Sequence, residues 1–111
     1  MRVYVGIRQS ALDYVTRIFL IRQGIWVGDV EYLYLDNERR RGGSSIALVE
    51  WDQLPQHLRV RLAHGVRRRA VRIIDISGRL APSKNCVSLP MPFEWDRLIY
   101  HLKEERTLQT G

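Results

Sequence analysis

Two runs of consecutive arginines are the groups in this sequence whose type and spacing most clearly suggest chemistry. They occur in "NERRRGGSS" and in "VRRRAV", and their members are Arg39, Arg40, Arg41, Arg67, Arg68 and Arg69. The planar fork of a guanidinium suits phosphate, so both runs could bind nucleic acid without sequence preference. The alternative is that they are solvated loops or element ends in an arginine-rich chain, since only Lys84 and Lys103 among the 18 basic residues are lysines.

Length, composition and charge limit the class of protein. The 111 residues are 45% hydrophobic and 27% charged, with a net charge of +6, which is typical of one globular domain and not of a disordered chain. No apolar run approaches the roughly 18 residues that span a bilayer, so we expect no membrane partner. Cys86 is the single cysteine, which excludes a disulfide framework and predicts a reducing, cytoplasmic location.

Motifs for catalysis are missing from the sequence. The three histidines lack metal-ligand spacing, no serine lies in a Gly-x-Ser-x-Gly elbow, and "RRRGGSS" lacks the Gly-Lys-Ser/Thr ending of a phosphate loop. We therefore predict that the chain is not an enzyme and has no metal ion or other cofactor.

Strand-like and helix-like segments alternate along the chain. Five apolar, β-branched runs predict strands at residues 2–7, 30–36, 45–51, 70–78 and 86–89. Helices are predicted from an N-cap at Ser10 to Gly24, after Pro55 to Gly65, and over 92–108. Their apolar positions are Leu12, Val15, Ile18, Phe19 and Ile21 in the first helix, Leu58 and Leu62 in the second, and Trp95, Leu98, Ile99 and Leu102 in the last.

This alternation predicts an α/β fold with a mostly parallel sheet that is covered on both faces. Five strands in about a hundred residues favour the flavodoxin-like, doubly wound order 2-1-3-4-5. The connections after the second and fourth strands, "DNERRRGGSS" and "RLAPSKN", are short, so we expect the helices there to be short or missing.

Three segments together resemble the receiver domain of bacterial response regulators. They are "LVEWDQLP" after the third strand, "IIDIS" in the fourth, and "SLPMPFEWDRLIYHL" at the last strand, turn and helix. The resemblance implies a domain over 1–104, with 105–111 as a tail or the start of a linker. It also implies the chemistry of that family, in which carboxylates hold Mg²⁺, an aspartate accepts a phosphoryl group, and a lysine and a hydroxyl contact that group.

The residues that would do this chemistry are largely replaced. Arg8 follows the first strand, where the family has acidic residues, and Trp51 takes the acceptor position. Asp52, one residue later, could accept a phosphoryl group only if the loop to the next helix were one residue shorter than usual. Ser77 matches the hydroxyl position, whereas Met91 stands in place of the lysine, where we expect it to fill a gap in the core.

The sequence therefore predicts a degenerate receiver, or pseudo-receiver, that regulates or dimerises a bacterial transcription regulator without phosphorylation. Its partner would be a second copy or an adjacent domain. The predicted interface lies near the last two strands and the final helix, at Trp95, Leu98, Ile99 and Leu102; the alternative is that Trp95 folds back onto the junction of helix and sheet. The alternative function is that of a small free-standing protein that binds nucleic acid through its arginine runs.

Overall fold

The computed structural model describes residues 1–39 and 45–110, with the side chains of 1–37 and 45–103. Its strands are β1 (Arg2–Gly6), β2 (Trp26–Asp29), β3 (Ser45–Val49), β4 (Val71–Asp75) and β5 (Cys86–Ser88). Its helices are α1 (Ser10–Arg22), α2 (Leu33–Arg39), α3 (Gln56–Arg67) and α4 (Trp95–Thr110). Two 3-10 turns, Val30–Tyr32 and Trp51–Gln53, precede α2 and α3.

All five strands are parallel and are arranged in the order β2-β1-β3-β4-β5. Every residue of β3 and β4 is buried, as expected of central strands that are covered on both faces. The predicted flavodoxin-like, doubly wound α/β fold is confirmed.

Two apolar cores lie on opposite faces of this sheet, because neighbouring residues of a strand point to opposite sides. Leu20 of α1 and Leu98 of α4 are buried against one face. Leu33 of α2 and Leu62 of α3 are buried against the other. The carboxyl ends of the strands therefore emerge between two helical layers.

The prediction of a second strand over 30–36 was wrong. The strand is the earlier Trp26–Asp29, and the predicted segment forms a 3-10 turn followed by α2. Val30 and Leu33 are buried while Tyr32 is exposed. Buried residues three apart fit a helix, whereas a strand would bury every second residue. The shift leaves the 15 residues from 30 to 44 for the crossover to β3, enough for a parallel connection with a short helix.

The start of α1 differs from the prediction, whereas its end agrees with it. Gln9, not Ser10, is the N-cap, and its side-chain oxygen accepts a hydrogen bond from the amide of Leu12 at 3.1 Å. Gly24 ends the helix at a positive φ of 77°, and its amide donates to the carbonyl of Ile21 at 2.9 Å.

The buried face of α1 is rotated from the expected one. Thr16 and Leu20 are buried, while Val15 and Ile21 are about half exposed. A helix rich in apolar residues has several possible inward faces, so its periodicity alone does not decide between them. Two of the expected positions, Leu12 and Phe19, do pack against the core.

Gly65 does not end α3, contrary to the prediction. The helix continues to Arg67, and the chain turns at Arg69, whose φ is +60°. A Cβ atom at Gly65 would lie 2.6 Å from Cγ2 of Val71. The glycine therefore allows α3 to approach β4 closely. In the sequence, a glycine needed for close packing cannot be told from one that ends a helix.

Residues 76–85 connect β4 to β5 without a helix, as predicted, and the three residues of β5 are only half-buried. α4 begins at Trp95, three residues after the predicted start, and its backbone continues to Thr110. A domain boundary at 104 remains a prediction. In the described part of the chain, none of the helices has the length and apolar character needed to cross a membrane.

Candidate functional site at the carboxyl edge of the sheet

A crevice of about 420 Å³ opens at the carboxyl ends of the strands, beside β1. The connections from β1 and β3 lead to opposite faces of the sheet, so the loops that follow them separate there, and doubly wound proteins bind ligands at this position. Gly6 and Arg8 line one side, Gln53 and Pro55 line another, and Asp29 closes the edge near β2. We call it the carboxyl-edge crevice.

Glu50, the first residue after β3, connects two of these loops. One oxygen of its carboxylate accepts hydrogen bonds from the amides of Arg8 at 2.8 Å and Gln9 at 3.2 Å. The Arg8 guanidinium in turn donates to the side-chain oxygen of Gln53 at 3.2 Å. The carboxylate of Glu50 thus fixes the loop after β1 against the loop after β3.

Arg17 brings a permanent positive charge into the crevice. Its guanidinium lies 2.9 Å from the carboxylate of Asp13 and 3.5 Å from that of Asp29, and it donates to the carbonyl of Val5 at 3.4 Å. Asp29 also accepts from the amide of Glu31 at 3.0 Å. The guanidinium therefore links α1 to the ends of β1 and β2.

Asp75, the last residue of β4, is the most enclosed ionisable group at this edge and is fully buried. One oxygen accepts from the amide of Trp51 at 3.0 Å, and from the amide and hydroxyl of Ser77 at 2.9 and 2.7 Å. The other oxygen accepts from the amides of Arg79 at 3.0 Å and Leu80 at 2.8 Å. Five donors thus surround a single carboxylate.

The pKa of Asp75 is lower than its ordinary value of 3.8. Burial alone would raise it, because the charged form loses hydration, but the Ser77 hydroxyl and the amides of Trp51, Leu80 and Ser77 together outweigh burial. The carboxylate is therefore charged at neutral pH and holds the loop after β3 to the loop after β4. Its hydrogen-bonding capacity is used within the protein and not directed to a substrate.

The residues predicted from the receiver resemblance come together only in part. Trp51 begins a 3-10 turn, packs its half-buried ring on the core, and donates its amide to Asp75. Ser77 lies two residues after β4, and its hydroxyl donates to the same carboxylate. Asp52 is exposed on the 3-10 turn.

The expectation that Met91 fills a gap in the core was wrong. Its side chain is 48% exposed in the turn between β5 and α4. Only its backbone is tied to the sheet, through an amide that donates to the carbonyl of Ile76 at 3.1 Å. The two flanking prolines stiffen this turn, and the half-exposed methionine side chain is not part of the core.

The four residues predicted as an interface divide into two groups. Leu98 and Leu102 are fully buried against the sheet and therefore offer no surface to a partner. Trp95 and Ile99 are half-buried against the same core, and the Trp95 ring stacks on that of Phe19 with centroids 4.7 Å apart. Trp95 therefore packs at the junction of helix and sheet, which was the alternative to its place in an interface.

The structure describes one of the two arginine runs in full and the other only in part. The run at 67–69 is exposed, at the carboxyl end of α3 and in the turn that follows. In the run at 39–41, only the backbone of Arg39 is placed, as the last residue of α2; Arg40 and Arg41 lie outside the described residues.

The Mg²⁺ of receiver domains does not fit the residues at this edge. The carboxylates of Asp13 and Asp29 already contact the Arg17 guanidinium, whose charge opposes a second cation, and that of Glu50 accepts from the amides of Arg8 and Gln9. Among the described side chains, those of residues 1–37 and 45–103, no three histidine, cysteine or acidic groups lie together so that they could hold a metal ion.

Sequence reasoning missed Glu50, Asp75, Arg17 and Asp29 as organisers of this edge. A signal existed for Asp75, because a single carboxylate within the apolar run "IIDIS" must find donors if it is buried. The four-residue spacing of Asp13 and Arg17 was also readable as a helical ion pair. The contact with Asp29 was not, since it joins two elements and the second strand had been misplaced.

Comparisons with protein-family models, with curated proteins and with solved structures find no match to this chain. The fold is established by its topology, and the receiver resemblance stays a prediction that rests on the residues themselves.

Proposed function

We propose that this chain is a phosphorylation-independent, receiver-like regulatory module of a bacterial transcription regulator, working in the cytoplasm. The observation that carries the proposal is the hydrogen bonding of Asp75, which joins the loops after β3 and β4 without any added group. In a receiver, a phosphoryl group and a metal ion rearrange the loops at this edge. Here the hydrogen bonds of Asp75 and Glu50 and the ion pairs of Arg17 join the loops at this edge to one another and to α1.

A module of this kind acts through contacts and not through chemistry. We propose that it self-associates as a symmetric dimer, or contacts an adjacent domain, through the outer side of α4. Tyr100 is 62% exposed on that helix and lies beside the half-buried Ile99, so the two offer an apolar surface that the buried Leu98 and Leu102 do not.

We expect acetyl phosphate or beryllofluoride with Mg²⁺ to leave the protein unchanged, because Asp13 and Asp29 are paired with Arg17, and Met91 stands in the turn after β5 in place of a lysine. Tryptophan fluorescence and sedimentation should be the same with and without these reagents. An authentic receiver domain in the same assay provides the positive control. A Mg²⁺-dependent change in fluorescence that Asp52→Asn abolishes would contradict the proposal.

A second candidate function is nucleic-acid binding, and the charge of α3 favours it. The described helix, Gln56–Arg67, contains three arginines and two histidines but no acidic residue, and the exposed run at 67–69 extends this charge beyond its end. Such a surface attracts phosphates without reading sequence.

This second function predicts a strong dependence on salt. If several phosphates are bound, affinity for a labelled DNA duplex should fall by orders of magnitude between about 50 and 200 mM salt. Arg67→Glu with Arg69→Glu should remove the binding while changing the free energy of unfolding by no more than about 0.5 kcal/mol. Fluorescence anisotropy measures the first effect and urea denaturation the second. Absence of binding at low salt would eliminate this candidate.

A further inference from the structure

A second cavity, of about 340 Å³, lies between α2 and α3 on the face of the sheet opposite α1 and α4. Its floor is apolar and buried, with Leu33 from α2, Leu62 from α3 and Val71 from β4. Gly65 lets α3 lie close to β4 at this point, so the floor is continuous with the core. We call this cavity the α2–α3 cleft.

The rim of the cleft along α3 carries two arginines and a histidine. Arg61, His64 and Arg68 line it, and their spacing of three and four residues places them on one flank of the helix, toward α2. Glu31, just before α2, is the carboxylate among the described lining residues. The positive charge therefore exceeds the negative charge along the length of the cleft.

One side of the cleft presents flat, polarisable groups. The Arg61 guanidinium lies over the ring of Tyr34, with Cζ 5.2 Å from the ring centroid, and this pair connects α3 to α2. The Tyr34 side chain is 43% exposed, so a face or edge of the ring is accessible beside the guanidinium. A planar ring could stack against this pair, as aromatic groups do in offset geometry.

We propose that the α2–α3 cleft binds a small molecule that has a planar apolar body and a single carboxylate. The apolar floor would take the body, Tyr34 and Arg61 would flank its ring, and Arg68 with His64 would meet the carboxylate. The volume lies at the lower end of the roughly 300–1,000 Å³ of small-molecule sites. The enclosed apolar floor favours a small molecule over a polyanion, which would need only the exposed charges.

This site is separate from the carboxyl-edge crevice and does not depend on the pseudo-receiver proposal. Of the described residues, the two cavities have Val30, Glu31 and Leu58 in common, and these lie between them. A ligand in the cleft would contact α2, a helix of seven residues, and would so alter the face of the module opposite α4.

The probe for this proposal is 1-naphthoate, titrated by calorimetry into the full chain. We expect saturable binding with one site, and weaker binding of the neutral 1-naphthamide. Arg68→Gln should weaken naphthoate binding by roughly tenfold, as expected for the loss of one charge-assisted hydrogen bond. Arg67→Gln removes the same charge from a neighbouring exposed residue that does not line the cleft, and should leave the affinity within about twofold.

Tyr34→Ala tests whether the ligand stacks against the Tyr34 ring. Tyr32→Ala is the matched control, because Tyr32 is an exposed tyrosine outside the cleft lining. Only the first change should weaken binding, by roughly fivefold to tenfold. Should Tyr34→Ala fail to fold, the backbone amide chemical shifts of the unaltered protein, measured by NMR, show where naphthoate binds. On addition of naphthoate, Gly65 and Val71 should shift, while Glu50 and Asp75 should not.

Three results would overturn the proposal. The first is absence of saturable binding up to millimolar naphthoate. The second is equal weakening by Arg67→Gln and Arg68→Gln, which would indicate diffuse attraction to the basic surface. The third is displacement of naphthoate by a DNA duplex together with loss of both interactions in the Arg67→Gln variant, which would assign this surface to nucleic acid.

Discussion

Replacing Asp75 by asparagine should lower the free energy of unfolding by about 2–5 kcal/mol, the largest loss that we expect from a change of one atom in this chain. The carboxylate accepts from two donors at one oxygen and from three at the other. In either orientation, an amide places its NH₂ group opposite at least two backbone N–H donors. These part-buried donors would lose the carboxylate oxygen that they bind, and each such loss costs about 1–3 kcal/mol.

The matched control is Asp52→Asn, which removes the same charge from an exposed residue of the neighbouring turn. We expect it to change the free energy of unfolding by no more than about 0.5 kcal/mol. The loss in free energy of unfolding for Ser77→Ala should lie between those of Asp75→Asn and Asp52→Asn, because this change removes the hydroxyl donor and leaves the four amides in place. Urea denaturation followed by tryptophan fluorescence measures all three. Equal stability of Asp75→Asn and Asp52→Asn would show that the buried carboxylate does not hold these loops.

The same carboxylate predicts how stability depends on pH. Since the pKa of Asp75 is lower in the folded chain than its ordinary value of 3.8, protonation favours the unfolded chain. Its contribution is therefore complete above about pH 5 and is lost as the pH falls through 3.8 toward the folded-state pKa. Stability of the unaltered protein should decline over this acid range more steeply than that of Asp75→Asn.

The strands could be predicted from sequence where they are buried on both faces. β3 and β4 read as continuous apolar runs because both of their sides contact a core. β2 was missed because it is an edge strand whose Trp26 is 45% exposed, and its four residues include a glycine and an aspartate. A pattern based on burial has little to detect in such a strand.

The candidate site was less predictable than the fold, for a physical reason. Trp51 and Ser77 each lie two residues beyond a strand, and the group of Trp51 that organises the site is its backbone amide, which donates to Asp75. A backbone donor has no signature in the sequence. The partner of a buried carboxylate is likewise decided by which loops the topology brings together, and here the loops after β3 and β4 are 24 residues apart in the chain.

Trp95→Ala is expected to lower the free energy of unfolding by about 2–4 kcal/mol, because its ring joins two helices within one chain. The ring stacks on Phe19 of α1 at a centroid distance of 4.7 Å, and meets Phe93 edge-on at 5.4 Å. In a double-mutant cycle with Phe19→Ala, we expect a coupling of about 0.5–1.5 kcal/mol. Tyr100→Ala, on the exposed side of the same helix, should change stability by no more than about 0.5 kcal/mol.

These variants also separate packing from self-association on α4. If the outer side of the helix is the dimer surface, Tyr100→Asp should shift the protein toward monomer in sedimentation equilibrium while its stability as a monomer is unchanged. Trp95→Ala should then affect the dimer only as far as it destabilises the fold. Should Trp95→Ala instead dissociate a dimer and leave the unfolding free energy intact, the tryptophan would belong to the interface and not to the contact with Phe19. A wild-type chain that remains monomeric at high micromolar concentration would rule out self-association and leave an adjacent domain as the proposed partner of this surface.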